Sequence, residues 1–336
     1  MKRLAVLVAI FAGLGLLPLL VGSDFWLNAI MLALFSALIG QAWNIAGGYA
    51  GQFSFGHALF FGIGAYAVAV LQVDLGINPW LGMLVGGALG AGAGAALGWL
   101  TFRYGLRGSY FALVTLAFAE VFRILANSTP FTGAGEGILI KLNPHPAMLQ
   151  FKALSGYYWL LLALTFSCFL SVWWLERSRL GAQMLAVRDN EDAAAAVGVD
   201  AFAVKLKAMA LSGLFMGLAG VFYTQRYLYL DPGLAFGPTQ SVEALLVAIV
   251  GGIGTLFGPL LGAFALHLLG EAAQTALGDV PGANMVIYGT VLVVMVLFLP
   301  RGLASLGKAG LGKAGLGKAG GRRQGRRRRK RRAKDA

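Results

Sequence analysis

A chain of 336 residues, 58% of them hydrophobic and 12% charged, is not a soluble globular domain, in which about a quarter of the residues carry charge. Its formal charge of +13 sits at one end: residues 301–336 hold fourteen Lys or Arg against one Asp, whereas residues 1–300 hold thirteen basic and thirteen acidic residues and are neutral. The body of the chain therefore offers no basic surface for nucleic acid, and a single cysteine, Cys168, excludes an intramolecular disulfide and a cysteine metal cluster.

The first apolar run, residues 4–22, follows Lys2 and Arg3. It is long enough to cross a bilayer, and no A-x-A cleavage pattern follows it, so it reads as a helix rather than a signal peptide. Further spans are expected at 25–46, 53–73, 79–102, 108–126, 157–175, 208–225 and 285–300, which makes eight in an all-α, polytopic membrane protein. With the N-terminus in the cytoplasm, Arg103, Arg107, the 176–207 loop and the tail from Arg301 fall inside, and mainly Lys141, Lys152 and Arg226 fall outside. That charge bias is the one cytoplasmic loops carry.

Few ionisable or polar residues fall within these spans, and each must face protein or water. Gln52, Ser54 and His57 occur together in GYAGQFSFGHALFFGIGAY, where they either line a pathway or bond between helices. The span from Pro79 carries glycines at 82, 86, 90, 94 and 98, a spacing of four that lets another helix approach its backbone. Glu120 and Arg123 stand three apart on one helix face, as a structural ion pair or as pathway groups. TGAGEG at 132–137 lies in the long external loop, as a turn or as the rim of a pathway.

The longest polar interruption runs from Glu176 to Lys207. Within it, residues 186–197 are alanine-rich with acids at Asp189, Glu191 and Asp192, which favours a short helix, and Gly198 can end it. A structured helix outside the bilayer is a candidate docking surface. Residues 242–270 are too long for one span and are broken by GGIGTLFGP, with Gly251, Gly252 and Gly254 at the break. A single crossing would put the tail outside, so two arms that enter and return on one side are expected, with a bend buried in protein or lining a cavity. Glu243 and His267 lie in those arms.

Residues 1–300 thus form a transmembrane domain, and 301–336 a low-complexity tail of LGKAG repeats and RRQGRRRRKRR. The tail suits anionic lipid headgroups, at roughly 1 kcal/mol per basic residue near the surface, and nucleic acid is not an expected partner. No G-x-x-x-x-G-K-[ST] and no H-E-x-x-H occur, and three histidines at 57, 145 and 267 do not make a metal centre.

Four ordered blocks resemble one family, the branched-chain amino acid (leucine/isoleucine/valine) permease subunits of bacterial ABC importers. They are GYAGQFSFGHALFFGIGAYAVAVL, LRGSYFALVTLAFAEVFRIL, LGAQMLAVRDNEDAAAAVGVDAFAVKLKAMALSGLFMGLAGVFY and SVEALLVAIVGGIGTLFGPLLGAF, and the resemblance covers residues 26–300. It implies that residues 188–198 (Arg188, Asp189, Asn190, Glu191, Asp192, Ala193, Ala194 and on to Gly198) form the coupling helix that enters a groove on an ATPase subunit. The wider class shows E-A-A-x-x-x-G there. This chain has Asp192, Ala193, Ala194 and Gly198 in that spacing with Glu191 one place earlier, so which acid contacts the ATPase stays open. The resemblance also implies a second homologous permease subunit, two cytoplasmic ATPase subunits that use the ATP, an extracytoplasmic substrate-binding protein, and no cofactor or catalysis in this chain. The other class considered is an ion-driven secondary carrier with Glu120, His57, Glu243 or His267 as coupling groups.

Overall fold

In the computed structural model, residues 2–20, 22–277, 289–290 and 303 are described, with the backbone alone for Lys2 and 271–277. The elements are α1 (Lys2–Leu20), α2 (Asp24–Asn44) running into a π turn (Ile45–Tyr49), α3 (His57–Val73), α4 (Pro79–Arg103) and α5 (Gly108–Ser128). Then come β1 (Ile138–Leu139), α6 (Leu154–Leu175), α7 (Arg179–Asp189), α8 (Glu191–Ala196), α9 (Ala201–Tyr227), β2 (Tyr229–Leu230), α10 (Pro232–Phe236), α11 (Pro238–Gly251) and α12 (Gly258–Leu277).

Among the described residues, seven helices are long and apolar enough to cross a membrane, α10 and α11 counting as one run over Pro232–Gly251. Two of the eight expected spans, and the broken segment, are corrected. The third is a helix only from His57, because residues 50–56 leave helical geometry, and α3 is left as a shorter apolar helix. The 208–225 span starts earlier, at Ala201, so Lys205 lies inside α9 and is buried. The first arm of the broken segment starts at Pro238, extended by α10, and reaches spanning length, while the second is α12. The expected 285–300 span and the tail lie outside the described residues, apart from 289–290 and Leu303, whose amide donates to the Val250 carbonyl at 2.9 Å.

α2 is the central element, with every residue from Ala33 to Asn44 buried and α6, α9, α11 and α12 around it. The glycine stripe of α4 does what its spacing predicts. Gly86, Gly90 and Gly94 are buried against α9, where a Cβ on Gly90 would strike the Gly213 carbonyl and come within 3.0 Å of the Gly217 Cα. The approach is reciprocal, since a Cβ on Gly213 would strike the Gly90 carbonyl. α3 joins the same contact through Gly64, whose missing Cβ leaves room for Gly217. Backbones this close are possible only where neither helix carries a side chain.

The bundle has two chemically distinct ends. At one, Arg3 Nη1 meets Glu176 at 3.0 Å and the Tyr49 hydroxyl donates to Glu176 Oε1 at 2.8 Å. Arg107 bridges to Glu191 and Asp192, each at 3.4 Å, and Lys205 Nζ reaches Glu191 Oε1 at 2.6 Å. At the other end β1 pairs antiparallel with β2, in register Ile138↔Leu230 and Leu139↔Tyr229. There Gly133 and Gly137 adopt left-handed φ of 74° and 77° in the turn that TGAGEG forms.

Candidate coupling surface and membrane cavity

The polar loop between α6 and α9 is ordered, but not as one helix over 186–197. The chain breaks at Asn190, which leaves helical geometry at φ −160° and caps α8 by accepting the Ala193 amide on Oδ1 at 2.9 Å. The alanine propensity on both sides hid this, because Asn at an N-cap satisfies a backbone donor better than it does mid-helix. α8 ends at Ala196, and Gly198, in the turn that follows, has φ +87°. Its outer face is small and open: Ala193, Ala195, Ala196 and Gly198 are exposed, Val197 is 80% exposed, and Ala194 is buried against the bundle. The two acids differ. Glu191 is engaged by Lys205 and Arg107, whereas the Asp192 side chain is 84% exposed.

Arg188, in the last turn of α7, points into the bundle. Its Nη1 donates to the Gly48 carbonyl at 3.0 Å in the π turn, while Nε and Nη2 hold Asp189 Oδ1 at 3.2 and 3.1 Å. Gly51 (φ +72°) and Gly254 (φ +69°) make room for it. A Cβ on Gly51 would lie 2.8 Å from the Arg188 Cγ, and one on Gly254 would lie 2.7 Å from its Nη1. Asn44 closes the same junction, its Oδ1 accepting the Gly254 amide at 2.7 Å and its Nδ2 donating to the Thr255 carbonyl at 3.1 Å. The α11–α12 bend, with Gly251, Gly252 and Gly254, is therefore hydrogen-bonded to the end of α2 and packed at Gly254 against Arg188 of α7. Asn44, Gly48 and Gly51 were missed in the sequence, although the WNIAGGYAG run that holds them is glycine-rich.

The other end of the same three elements carries a polar cluster. The Ser36 hydroxyl of α2 donates to Glu243 Oε1 of α11, and its oxygen lies 2.8 Å from His267 Nε2 of α12. With its one proton spent on Glu243, Ser36 accepts from an Nε2–H of His267. This cluster borders a cavity of ≈ 870 Å³ between α2, α9, α11 and α12, whose other walls include Met31, Phe35, Phe222, Leu246 and Leu266. Arg226, Gln240 and Phe55 also face it.

Gln52, Ser54, His57 and Glu120, expected as pathway or packing groups, are not among the residues that line this cavity. Ser54 is buried, its Oγ accepting the Gly56 amide and its carbonyl accepting the Trp43 Nε1–H at 2.8 Å. Gln52 donates to the nearby Ala50 carbonyl. His57 is fully buried, with Nε2 2.8 Å from Ser212 Oγ, and Ser212 donates to the Ala42 carbonyl at 2.6 Å, so the three tie α3, α9 and α2 together. Glu120 sits half-exposed on α5, held by Arg123 through Nε at 2.8 Å and Nη2 at 2.5 Å. Cys168 is buried.

Membrane-crossing helices around a cavity, with an ordered polar loop packed against their bend, define a multi-pass membrane permease. The chain belongs to the family described as branched-chain amino acid transport system / permease component, whose model matches residues 25–296. It is 30% identical to the high-affinity branched-chain amino acid transport system permease protein LivM of Escherichia coli (strain K12), over 81% of this chain and 68% of that one. It is also similar to the L-arabinose ABC transporter permease protein AraH of Azospirillum brasilense, at 29% identity over 68% of this chain and 65% of that one. A third relative is the autoinducer 2 import system permease protein LsrC of Salmonella choleraesuis (strain SC-B67), at 26% identity over 71% and 74% of the two chains. No solved structure matches the chain.

Proposed function

We propose that this chain is the permease subunit of a bacterial inner-membrane ABC importer that passes branched-chain or related amino acids inward. Two separate cytoplasmic ATPase subunits would power it, a second homologous permease subunit would complete the membrane part, and an extracytoplasmic binding protein would deliver the solute. The observation that carries this reading is the Arg188 junction. It links the open face of α7–α8 to the three elements, α2, α11 and α12, that border the cavity. A load on α8 would reach the α11–α12 bend through Arg188 and Asn44, and Glu243 and His267 would move relative to Ser36. Asp192 would be the acid that meets an ATPase, since its side chain is 84% exposed and bridged by Arg107 alone, whereas Glu191 is also held by Lys205. The concentration of Arg3, Arg107, Arg188 and Lys205 at the α8 end supports a cytoplasmic position for that end and for the N-terminus.

The test replaces Val197 with Arg, which puts a bulky charge on the exposed face of α8 without touching the bundle. In vesicles containing the assembled system, ATP-driven leucine uptake is expected to fall to background, with the subunit still folded and inserted. Full uptake by that variant would remove α8 from the coupling role. The Ser36–Glu243–His267 cluster favours one second reading, an ion-driven carrier. Under that reading, proton- or sodium-dependent uptake would persist in vesicles lacking any ATPase and would be lost in Glu120→Gln or Glu243→Gln. None is expected.

A further inference from the structure

The relatives named above are described for an amino acid, a sugar and autoinducer 2, so family membership leaves the solute class undecided. The cavity is more specific. Its wall is mainly aliphatic and aromatic, with Met31, Phe35, Phe222, Leu246 and Leu266 among the lining residues, and Arg226, Gln240 and Glu243 are among its polar groups. Arg226 stands one residue from the end of α9, over the Tyr157 and Tyr227 rings at 5.3 and 5.5 Å from their centroids. Its Nε is buried and bonded to nothing, and no carboxylate pairs with it among the described residues. Glu243, in the second turn of α11, likewise has no cationic Arg or Lys partner among them and is held by Ser36. One turn before it, Gln240 is 9% exposed with its Oε1 unpartnered.

A half-buried guanidinium and a carboxylate without an Arg or Lys partner border one mainly apolar cavity, where a charge left unmet is costly. They border the same space without forming an ion pair with each other. A buried amide oxygen without a donor stands one helical turn from the carboxylate. A zwitterion with an apolar side chain answers all of these at once. We propose that this cavity is an α-amino-acid niche within the permease: Glu243 and Gln240 Oε1 receive the ammonium, Arg226 receives the carboxylate, and the apolar wall takes the side chain. A sugar would leave its hydroxyls facing aliphatic carbon and both charges unmet. The chain would then select its solute independently of any delivering protein. This inference rests on the transport reading and extends it.

The experiment measures binding of tritiated L-leucine to the full chain in lipid nanodiscs, in competition with 3-methylbutylamine, which lacks the carboxylate, 4-methylpentanoate, which lacks the ammonium, and L-arabinose. Leucine is expected to bind, the two truncated analogues to compete at least ~10-fold more weakly, and arabinose not to compete, because each analogue leaves one of the two charges without its partner. In Arg226→Gln the amine should compete as well as leucine, and in Glu243→Gln the acid should. Absent leucine binding, arabinose competing as strongly as leucine, or truncated analogues matching leucine on the unsubstituted chain would each overturn the niche. The analogue series decides even if a variant fails to fold. ATP-driven leucine uptake by the assembled system is measured alongside. Uptake with unaltered selectivity in both variants removes the niche and leaves the permease reading, whereas leucine binding without any ATP-driven uptake removes the permease reading and leaves the niche.

Discussion

Arg188 links the loop to the membrane through a single hydrogen bond to a backbone carbonyl, at 3.0 Å from Gly48. Replacing it by Leu removes that donor and leaves a carbonyl without its partner, which in a half-buried setting costs about 1–3 kcal/mol. The larger effect should be on coupling, because Gly51 and Gly254 are left bordering an empty slot. Arg188→Leu is expected to lose at least about tenfold in leucine uptake while the ATPase in the same vesicles keeps hydrolysing ATP, with both rates measured side by side. Equal loss of both activities would mean that Arg188 only keeps the subunit docked. Little of this was legible in the sequence. The family resemblance puts Arg188 at the start of the coupling helix, but its partner is 140 residues away, and no local pattern announces a guanidinium bound to a main-chain oxygen. His57 was ambiguous for a related reason, since burial and the Ser212 hydroxyl decide between a pathway and an interhelical bond, and periodicity reports neither.

Helix contacts were the most legible feature, because close approach leaves a mark in composition. Five glycines at a spacing of four could be read as a packing stripe from α4 alone, although the partner, α9, turns only Gly213 and Gly217 toward it, Gly220 facing α3. The contact predicts a sharp contrast within a single helix. Gly90→Ala would drive a methyl into the Gly213 carbonyl and should destabilise the subunit by about 1–3 kcal/mol, the usual range for overpacking. Gly92→Ala, two residues on, meets nothing within 4 Å and should be neutral or slightly stabilising, since Ala is the better helix former. Thermal unfolding of the two variants in one detergent provides the comparison, and equal shifts would exclude the close α4–α9 approach. The break at Asn190 and the early start of α9 escaped the sequence because propensity is summed over neighbours, whereas a cap or a buried lysine is settled by one partner, here the Ala193 amide and Glu191.

For the whole molecule, charge and topology make the same demand. The contacts of Arg3, Tyr49, Arg107 and Lys205 place the chain start, the α4–α5 turn and the α7–α8 loop at one end, and the pairing of β1 with β2 places the 129–153 loop at the other. A bilayer with its cytoplasmic face at the basic end would make the α11–α12 bend a feature of that face, within reach of an ATPase, and would open the Arg226 end of the cavity toward the side from which a solute is delivered. Labelling tests this directly. With Cys168 replaced by Ser, a single cysteine at Val197, which is 80% exposed on α8, should react with a membrane-impermeant maleimide only in inside-out vesicles or after permeabilisation. A cysteine at Leu139, 74% exposed on β1, should react from outside intact cells. The reverse pattern would put α8 beyond the reach of any cytoplasmic ATPase while leaving the cavity and its charges where they are, so it would count against the powered-importer reading and leave the amino-acid niche standing.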